Sequence, residues 1–380
     1  MIYLDNSATT KPLQEVVDSF IQATNEFFAN PSSLHQLGGQ SEQLLDRARN
    51  QAAKLLHVSP DELIFTSGGT EGNNLAIKGA ALEHKSRGSH IITTAIEHPS
   101  VIEAFQSLEK IGFKTTYLSV DESGRIDLKE LQQAIRKDTI LLSVMHVNNE
   151  IGTVQDIEAI GRIAAEYPKL LFHVDYVQGL GKLPLDFRTA RIDLCTMSGH
   201  KIHGMKGTGL LYKRKGVKLF PLFDGGGQEF GVRSGTENVA GTVSFSKALR
   251  LALENEQQGV NRMNVLRNKL FQKLEQNPYV QLNTPKQHAA PHIVHFSVPG
   301  IKPEVMIHML GEYGIYVSTK SACSSKDSRK SQVLTACGHD EERAVSGIRV
   351  SMSTLTTAEE IDTFLNIFNA SVEKLKVVMK

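Results

Sequence analysis

The chain has 380 residues, of which 40% are hydrophobic and 22% charged, and its formal net charge is +1. This composition is typical of a globular chain long enough for two domains. The small net charge predicts no direct nucleic-acid partner, and the lack of an apolar run of roughly 18–20 residues predicts no membrane partner. Three cysteines without CxxC spacing, and a first segment unlike a signal peptide, predict a cytoplasmic protein with no disulfide framework and no metal site.

The N-terminal part predicts one helix opened by Pro12 and a second helix over residues 43–56. From residue 63, apolar runs alternate with amphipathic segments. The apolar runs predict strands at 63–66, 90–96, 114–120, 140–147, 170–175, 192–197 and 207–212, and the segments between them predict helices at 71–82, 101–111, 127–136 and 156–167. Strands that are apolar throughout, and separated by helices, predict a mostly parallel sheet covered on both faces.

The C-terminal part has a different pattern. Helical periodicity runs from residue 237 to 274, interrupted by the polar segment 253–262 with Gly259, which we interpret as the connection between two domains. Short strands at 293–297, 315–317 and 347–351 then alternate with helices at 303–312 and 358–379. The predicted fold is therefore α/β, with a seven-stranded sheet in a large domain (residues 15–255) and a smaller α+β domain (residues 1–14 and 256–380).

Residues 173–201 contain the most informative polar groups. One apolar run ends in Asp175, with Gln178 three residues later, and the next run ends in Ser198, Gly199, His200 and Lys201. A lysine beside a carboxylate and small donors suits a Schiff-base cofactor such as pyridoxal 5'-phosphate (PLP), because the lysine holds the aldehyde and the carboxylate pairs with the pyridinium nitrogen. The alternative, a solvated loop lysine, is the better interpretation of this segment taken alone.

Three other predicted strands also end in polar residues. Thr70 follows a glycine turn that opens a helix, His98 follows the strand at 90–96, and Asn149 follows the strand at 140–147. Each has an ordinary alternative, namely a capped turn, a turn histidine and a turn former. Carboxyl ends of parallel strands meet at one edge of a sheet, so these residues and Asp175 are predicted to converge on one ligand site.

Four residues nearer the C-terminus also carry candidate chemistry. Arg233 and Thr236 can reach a phosphate, although Thr236 is equally a helix cap. Cys323 lies among small polar residues and lysines, which favour the reactive thiolate over a plain surface thiol. Arg349 lies within an apolar strand, where it fits either a clamp for a substrate carboxylate or a structural ion pair.

These motifs, in order, resemble the NifS/IscS-type cysteine desulfurases of the class-V aminotransferase family, which are PLP enzymes of fold type I. The resemblance covers nearly the whole chain and rests on YLDNSATT, NPSS, FTSGGTEGNNLAIKG, EHPS, HVNNEIG, HVDYVQ, SGHKIHG, KGTGLLY, GGGQE, RSGTEN, SACSS and IRVS. Each motif is weak by itself, but the ordered set is specific.

The resemblance implies a role for each candidate residue. Lys201 forms the Schiff base with PLP, Asp175 pairs with the pyridine nitrogen, and Gln178 donates to the ring oxygen. His98 stacks on the ring and relays protons, and Cys323 is the nucleophile on a loop of about 319–332. The phosphate is held by Gly69, Thr70, Ser198 and His200, and by Thr236 of a neighbouring subunit, so that a homodimer with shared sites is implied; the substrate L-cysteine is bound by Asn149, also a cofactor contact, and by Arg349 at the carboxylate.

The implied reaction removes sulfur from L-cysteine, gives alanine and leaves a persulfide on Cys323 for transfer to an acceptor protein. After SAC many iron–sulfur-assembly members carry Glu-Pro, whereas this chain has the basic run SSKDSRKSQVL. That departure favours a tRNA-thiolation protein over an iron–sulfur scaffold as the acceptor. A selenocysteine lyase, another C–S lyase or an aminotransferase of the same fold is the alternative, as is a non-catalytic PLP-binding protein.

Overall fold

The computed structural model describes residues 1–319 and 330–378. Its strands are β1 Ile2–Tyr3, β2 Leu63–Thr66, β3 His90–Thr94, β4 Lys114–Leu118, β5 Thr139–Met145, β6 Leu171–Asp175, β7 Leu194–Ser198, β8 Gly209–Lys213, β9 Gln281–Leu282, β10 Ile293–Ser297, β11 Ile315–Tyr316 and β12 Gly347–Ser351. Its α-helices are α1 Gln14–Glu26, α2 Gln36–Leu55, α3 Gly69–Glu83, α4 Pro99–Glu109, α5 Leu128–Ala134, α6 Ile157–Ala164, α7 Val239–Glu254, α8 Glu256–Glu275, α9 Pro303–Glu312, α10 Gln332–Ala336, α11 Glu341–Val345 and α12 Ala358–Val378. None of these helices combines the length and the apolar character that a membrane crossing needs.

The largest sheet has seven strands in the order β2-β8-β7-β6-β5-β3-β4. Strand β8 runs antiparallel to both of its neighbours, and the other neighbouring pairs are parallel. Asp175 pairs in register with Met145 on one side and Thr196 on the other, so β5 and β6 end at one level and β7 ends two residues further, at Ser198. The predicted fold class is confirmed, and the sheet brings the polar strand ends to one edge.

Helices cover both faces of this sheet. On one face α1, α2, α6 and α7 pack into a buried cluster, with Phe172 and Val174 of β6 among its members. On the other face α3 and α4 pack into a second cluster, with Leu171 of the same strand. Successive residues of β6 therefore enter opposite cores, which is why the strand is buried throughout, with His173 hydrogen-bonded to Ser143 and Thr196 of the neighbouring strands.

The C-terminal region has its own three-stranded antiparallel sheet, in the order β12-β10-β9. Helices α8, α9 and α12 cover it with an apolar cluster that includes Phe296, Phe364 and Phe368. The N-terminus joins this region, because β1 pairs with β11 and Asp5 forms a bridge with Ser351. The proposed division into domains at residues 15–255, and at 1–14 with 256–380, stays a prediction.

Residues 253–262, which the sequence predicts to connect two domains, are helical apart from Asn255, and their role as a domain connection stays a prediction. Helix α7 ends at Glu254 and α8 begins at Glu256, so that only Asn255 separates them, and Gly259 lies inside α8. A Cβ atom at Gly259 would lie 2.5 Å from Cγ2 of Thr354, so the glycine permits close helix packing and does not break the helix. Polar residues with a glycine are typical of both a linker and an exposed helix face, and packing decides between them.

Candidate active site

The polar strand ends surround one cleft with an empty volume of about 720 Å³. It lies at the carboxyl ends of β3, β5, β6 and β7, where the N-termini of α3 and α4, the N-terminal segment and β12 close it. Its lining residues are Ser7, Ala8, Gly69, Thr70, Asn73, His98, Ser100, Met145, Val147, Asn149, Asp175, Val177, Gln178, Ser198, His200, Lys201 and Arg349. Of the sequence-predicted cofactor and substrate contacts, all except Thr236 and the phosphate candidate Arg233 are brought together here.

Lys201 follows β7 on a single turn of 3₁₀ helix, Gly199–Lys201. Its Nζ donates hydrogen bonds to the carbonyl oxygens of Ser7 and Ala8, the latter at 2.8 Å, so the N-terminal segment holds the amine in the cleft. Behind it, the buried ammonium of Lys182 donates to the carbonyl oxygen of Lys201 at 3.0 Å. Burial lowers the pKa of Lys182 to about 8. Both the side chain and the backbone of Lys201 are therefore fixed.

Asp175 ends β6, and both of its carboxylate oxygens accept hydrogen bonds. Oδ1 accepts from the backbone N–H of Val177 at 3.0 Å, and Oδ2 accepts from Nδ2 of Asn73 at 2.8 Å. The residue is 6% exposed, so water contributes little to its solvation. A buried carboxylate held in one orientation can pair with a protonated ring nitrogen, which is the partner that PLP presents.

His98 caps the N-terminus of α4, with Pro99 as the first helical residue. Its Nδ1 lies 2.8 Å from Oγ of Ser100 and accepts from the backbone N–H of Ser100 at 3.2 Å. Burial is the main cause that lowers the pKa of His98; Asp175 opposes the shift and Lys201 adds to it. The neutral imidazole is therefore the favoured form, and it can donate or accept a proton.

The N-terminus of α3 forms the part of the cleft that suits a phosphate. The first amides of a helix have no acceptor within that helix, and Gly69 and Thr70 provide them here. A Cβ atom at Gly69 would lie 3.0 Å from Cγ2 of Val177, so the glycine keeps this wall open. Ser198 Oγ is buried without a hydrogen-bond partner among the described residues. An unpartnered hydroxyl beside free amides is a ready donor set for a phosphate.

His200 completes this wall, with its Nδ1 at 3.2 Å from Oγ1 of Thr9. Burial and the neighbouring Lys201 lower the pKa of His200 to about 4, so it is neutral at physiological pH. Gln178, which also lines the cleft, donates from Nε2 to the carbonyl oxygen of Ser7 at 3.0 Å. A lysine amine, a fixed carboxylate, a neutral imidazole and a phosphate cradle are the groups that PLP requires, so the residues present fit this cofactor.

Arg349 enters the cleft from β12 and is 1% exposed. Its guanidinium donates to the carbonyl oxygen of Asn149 at 2.8 Å and to Oδ1 of Asp5 at 2.9 Å. Its Nε has no hydrogen-bond partner in the described part of the chain. Burial raises the pKa of Asp5, although Arg349 lowers it. The sequence allows Arg349 either a structural ion pair or a role in binding a substrate carboxylate. The structure contains the ion pair with Asp5, and Nε of Arg349 remains as a donor for a carboxylate.

Two predicted site residues are not part of this cleft. Thr236 is exposed and does not line it, so its contribution from a second subunit stays a prediction. Arg233, the other phosphate candidate, instead pairs with Glu71 at 2.9 Å. Cys323 and its loop positions 320–329 lie outside the described residues.

The cleft also contains residues that the sequence motifs do not single out as site residues, among them Ser7, Asn73 and Ser100. Asn73 is one helical turn after Gly69 and Thr70, a spacing that places it on the same face of α3. Ser100 occupies the first turn of α4, two residues after His98. Helical periodicity from the known strand ends was therefore a usable signal for both. Ser7 had none, because it reaches the cleft from the far end of the chain.

Residues 2–364 match the model of the family described as aminotransferase class-V. A relative from Dictyoglomus turgidum, named cysteine desulfurase IscS, is 42% identical over 378 residues, which are 99% of this chain and 96% of the relative. Another of that name, from Methanosarcina thermophila, is 43% identical over 375 residues, 99% of this chain and 93% of the relative. A solved structure named NifS-like protein has a TM-score of 0.92 and 38% identity, with 99% of each chain covered. This chain therefore belongs to the class-V aminotransferase family.

Proposed function

We propose that this chain is a PLP-dependent cysteine desulfurase, which converts L-cysteine to L-alanine and leaves the sulfur as a persulfide on Cys323. Relatives that carry the name cysteine desulfurase are 42–43% identical over nearly the whole chain. The observation that carries the proposal is the convergence of Lys201, Asp175, His98 and Arg349 on one cleft. Each of these side chains arrives from a different element.

The cofactor contacts follow from the cleft. When bound, PLP supplies an aldehyde that condenses with amines and a protonated ring that accepts electrons. In our proposal Lys201 Nζ is the amine that holds the cofactor, Asp175 pairs with the ring nitrogen and Gln178 donates to the ring oxygen. The phosphate is held by Gly69, Thr70, Ser198 and His200.

The substrate side is formed by Asn149, His98 and Arg349. The guanidinium of Arg349 binds the carboxylate of L-cysteine, which orients the amino group and the sulfur. His98 is neutral and moves protons between the substrate and the cleft. Burial of Asn149 and Arg349 excludes water from the charge pair and so strengthens it.

The sulfur transfer balances without an external oxidant. The thiolate of Cys323 attacks the substrate sulfur, so an S–S bond forms as the Cβ–S bond breaks. The electron pair of the broken bond stays with the carbon skeleton, which takes up a proton and leaves as alanine. A thiolate with access to an acceptor can then pass the sulfur on by exchange.

The direct test is the release of alanine and sulfide from L-cysteine by the PLP-loaded protein in the presence of a thiol reductant. C323A should lose turnover by roughly 100-fold or more while keeping the absorbance of bound PLP. C337A is the matched control, because Cys337 is buried at the end of α10 and burial raises its pKa to about 12. Full turnover by C323A would reject the desulfurase in favour of an aminotransferase or another lyase. A parallel assay with L-selenocysteine distinguishes a cysteine desulfurase from a selenocysteine lyase.

We also propose a cytoplasmic homodimer that delivers sulfur to an acceptor protein. Thr236 is exposed and follows a segment with three exposed phenylalanines, namely Phe220, Phe223 and Phe230, which suits burial against a second copy. Sedimentation of the wild type and of F223D tests the dimer. The basic run after Cys323 supports a tRNA-thiolation acceptor, and capture of acceptors by the persulfidated protein tests this choice against an iron–sulfur scaffold.

A further inference from the structure

A line of hydrogen bonds joins the two acid–base groups of the cleft. Oδ2 of Asp175 lies 2.8 Å from Nδ2 of Asn73, and the same Nδ2 lies 2.9 Å from Oγ of Ser100. That hydroxyl lies 2.8 Å from Nδ1 of His98. Asp175, Asn73 and Ser100 are 6%, 1% and 8% exposed, so the line is shielded from water.

The chemistry of the four groups sets the direction of every bond. An ionised Asp175 only accepts, so the amide of Asn73 must present its Nδ2 to it, and that nitrogen donates its second hydrogen to Ser100. The hydroxyl of Ser100 accepts from Asn73 and is left to donate to Nδ1 of His98. The backbone N–H of Ser100 also donates to Nδ1, at 3.2 Å.

Two donors of Ser100 therefore face Nδ1 of His98. A hydrogen on Nδ1 would find no acceptor at Ser100. A neutral imidazole carries its hydrogen on one nitrogen only, so in His98 it lies on Nε2. Removing the Ser100 hydroxyl would weaken this preference, and removing Asn73 would free the hydroxyl to accept instead of donate.

We propose that Ser100 and Asn73 are positioning residues that keep Nδ1 of His98 as an acceptor, so that protons are exchanged at Nε2. The proposal rests on the proposed function, since it assigns the atom of His98 that serves that reaction. Hydrogen bonds to the neutral form disfavour the charged form, so the line also keeps His98 neutral. Among the described residues, Asp175 favours the protonated form of His98 and Lys201 disfavours it, and His200 is a further titratable neighbour.

The test uses the PLP-loaded full chain labelled with ¹⁵N-histidine, with H98Q to assign the His98 resonances. The wild type should show an Nε2–H pattern. In S100A the Nδ1 resonance should move towards the protonated form, the titration midpoint of His98 should rise, and kcat should fall roughly tenfold with KM almost unchanged. S100T keeps the hydroxyl and should restore the wild-type pattern.

S107A is the matched control, because Ser107 lies on the same helix, is half-buried, and donates from Oγ to the carbonyl oxygen of Glu103. Should S100A not fold, S100C preserves the shape with a weaker donor and should show an intermediate shift. An Nδ1–H pattern in the wild type, or an S100A protein unchanged in spectrum and kcat, overturns the inference. An inactive wild type with the expected Nε2–H pattern instead contradicts the proposed function alone.

Discussion

The edge of the seven-stranded sheet and strand β12 contribute to the cleft in different ways. On the sheet side, Asp175 accepts hydrogen bonds from its sequence neighbour Val177 and from Asn73 of the adjacent helix α3. Arg349 is held across the molecule, by Asn149 of the sheet region and Asp5 of the N-terminal segment. Asp175 and His98 on the cofactor side are thus set within the sheet region, Lys201 and Gln178 are also bonded to the N-terminal segment, and the substrate side depends on how the two regions pack.

The largest effect should come from the sheet side. K201A removes the amine that holds PLP, so alanine formation should fall at least roughly 1,000-fold, and the visible absorbance of lysine-bound PLP should disappear. This loss of colour distinguishes it from C323A, which should keep the absorbance. The control is K206A, which changes an exposed lysine on the same loop. Normal absorbance and turnover in K201A would mean that another amine holds the cofactor.

A smaller effect should come from β12. R349K keeps the charge but loses the forked donors, so kcat/KM for L-cysteine should fall roughly 100-fold, mostly through KM. The absorbance of bound PLP should stay as in the wild type, because Arg349 is proposed to contact only the substrate. R250K, at an exposed pair with Glu254, is the control. A loss of cofactor binding in R349K would show that the two sides of the cleft are not separable.

The smallest expected effect is on the stability of the protein and comes from Glu97, the residue before His98. Glu97 is buried; one carboxylate oxygen accepts from Thr94 and from the N–H of Met145, and the other has no hydrogen-bond partner among the described residues. Burial raises the pKa of Glu97 from 4.5 to about 8. Between these values only the folded protein holds the proton, so this group's contribution to stability falls as pH rises through that window.

E97Q stays neutral at every pH and should escape this loss. Relative to the wild type, its free energy of unfolding should improve between pH 5 and about pH 6.5 by on the order of 2 kcal/mol, measured by chemical denaturation of the PLP-loaded protein. E42Q, on the exposed face of α2, should show no such pH-dependent difference. An equal effect of E97Q at both pH values would mean that Glu97 is ionised throughout, and that the sheet edge holds a second buried carboxylate beside Asp175.

Much of this cleft could be predicted because its residues end apolar runs. Asp175 and Lys201 each follow a buried strand, and a parallel sheet necessarily gathers such ends at one edge. The apolar pattern extends two predicted strands too far along the chain, because Ile96 and Val147 continue the apolar runs beyond Thr94 and Met145, where β3 and β5 end. Both are buried in the loops beyond the strands. A run of apolar residues indicates which residues are buried, and buried residues continue beyond the point where the hydrogen bonds between strands end.

The order of apolar runs and motifs was enough to determine the α/β class, the parallel sheet and the residues at its edge. Those features depend on periodicity and on short spacings along the chain, which a sequence displays directly. Only the packing of the elements shows the hydrogen bond between Asn73 and Ser100 and the bond from Lys201 to the carbonyl oxygen of Ser7. The same is true of the two helices that meet at Asn255 and of the ion pair between Arg349 and Asp5. These contacts join residues whose separation in sequence carries no periodic signal, because their distances are set by how the helices, the N-terminal segment and β12 fold back onto the sheet.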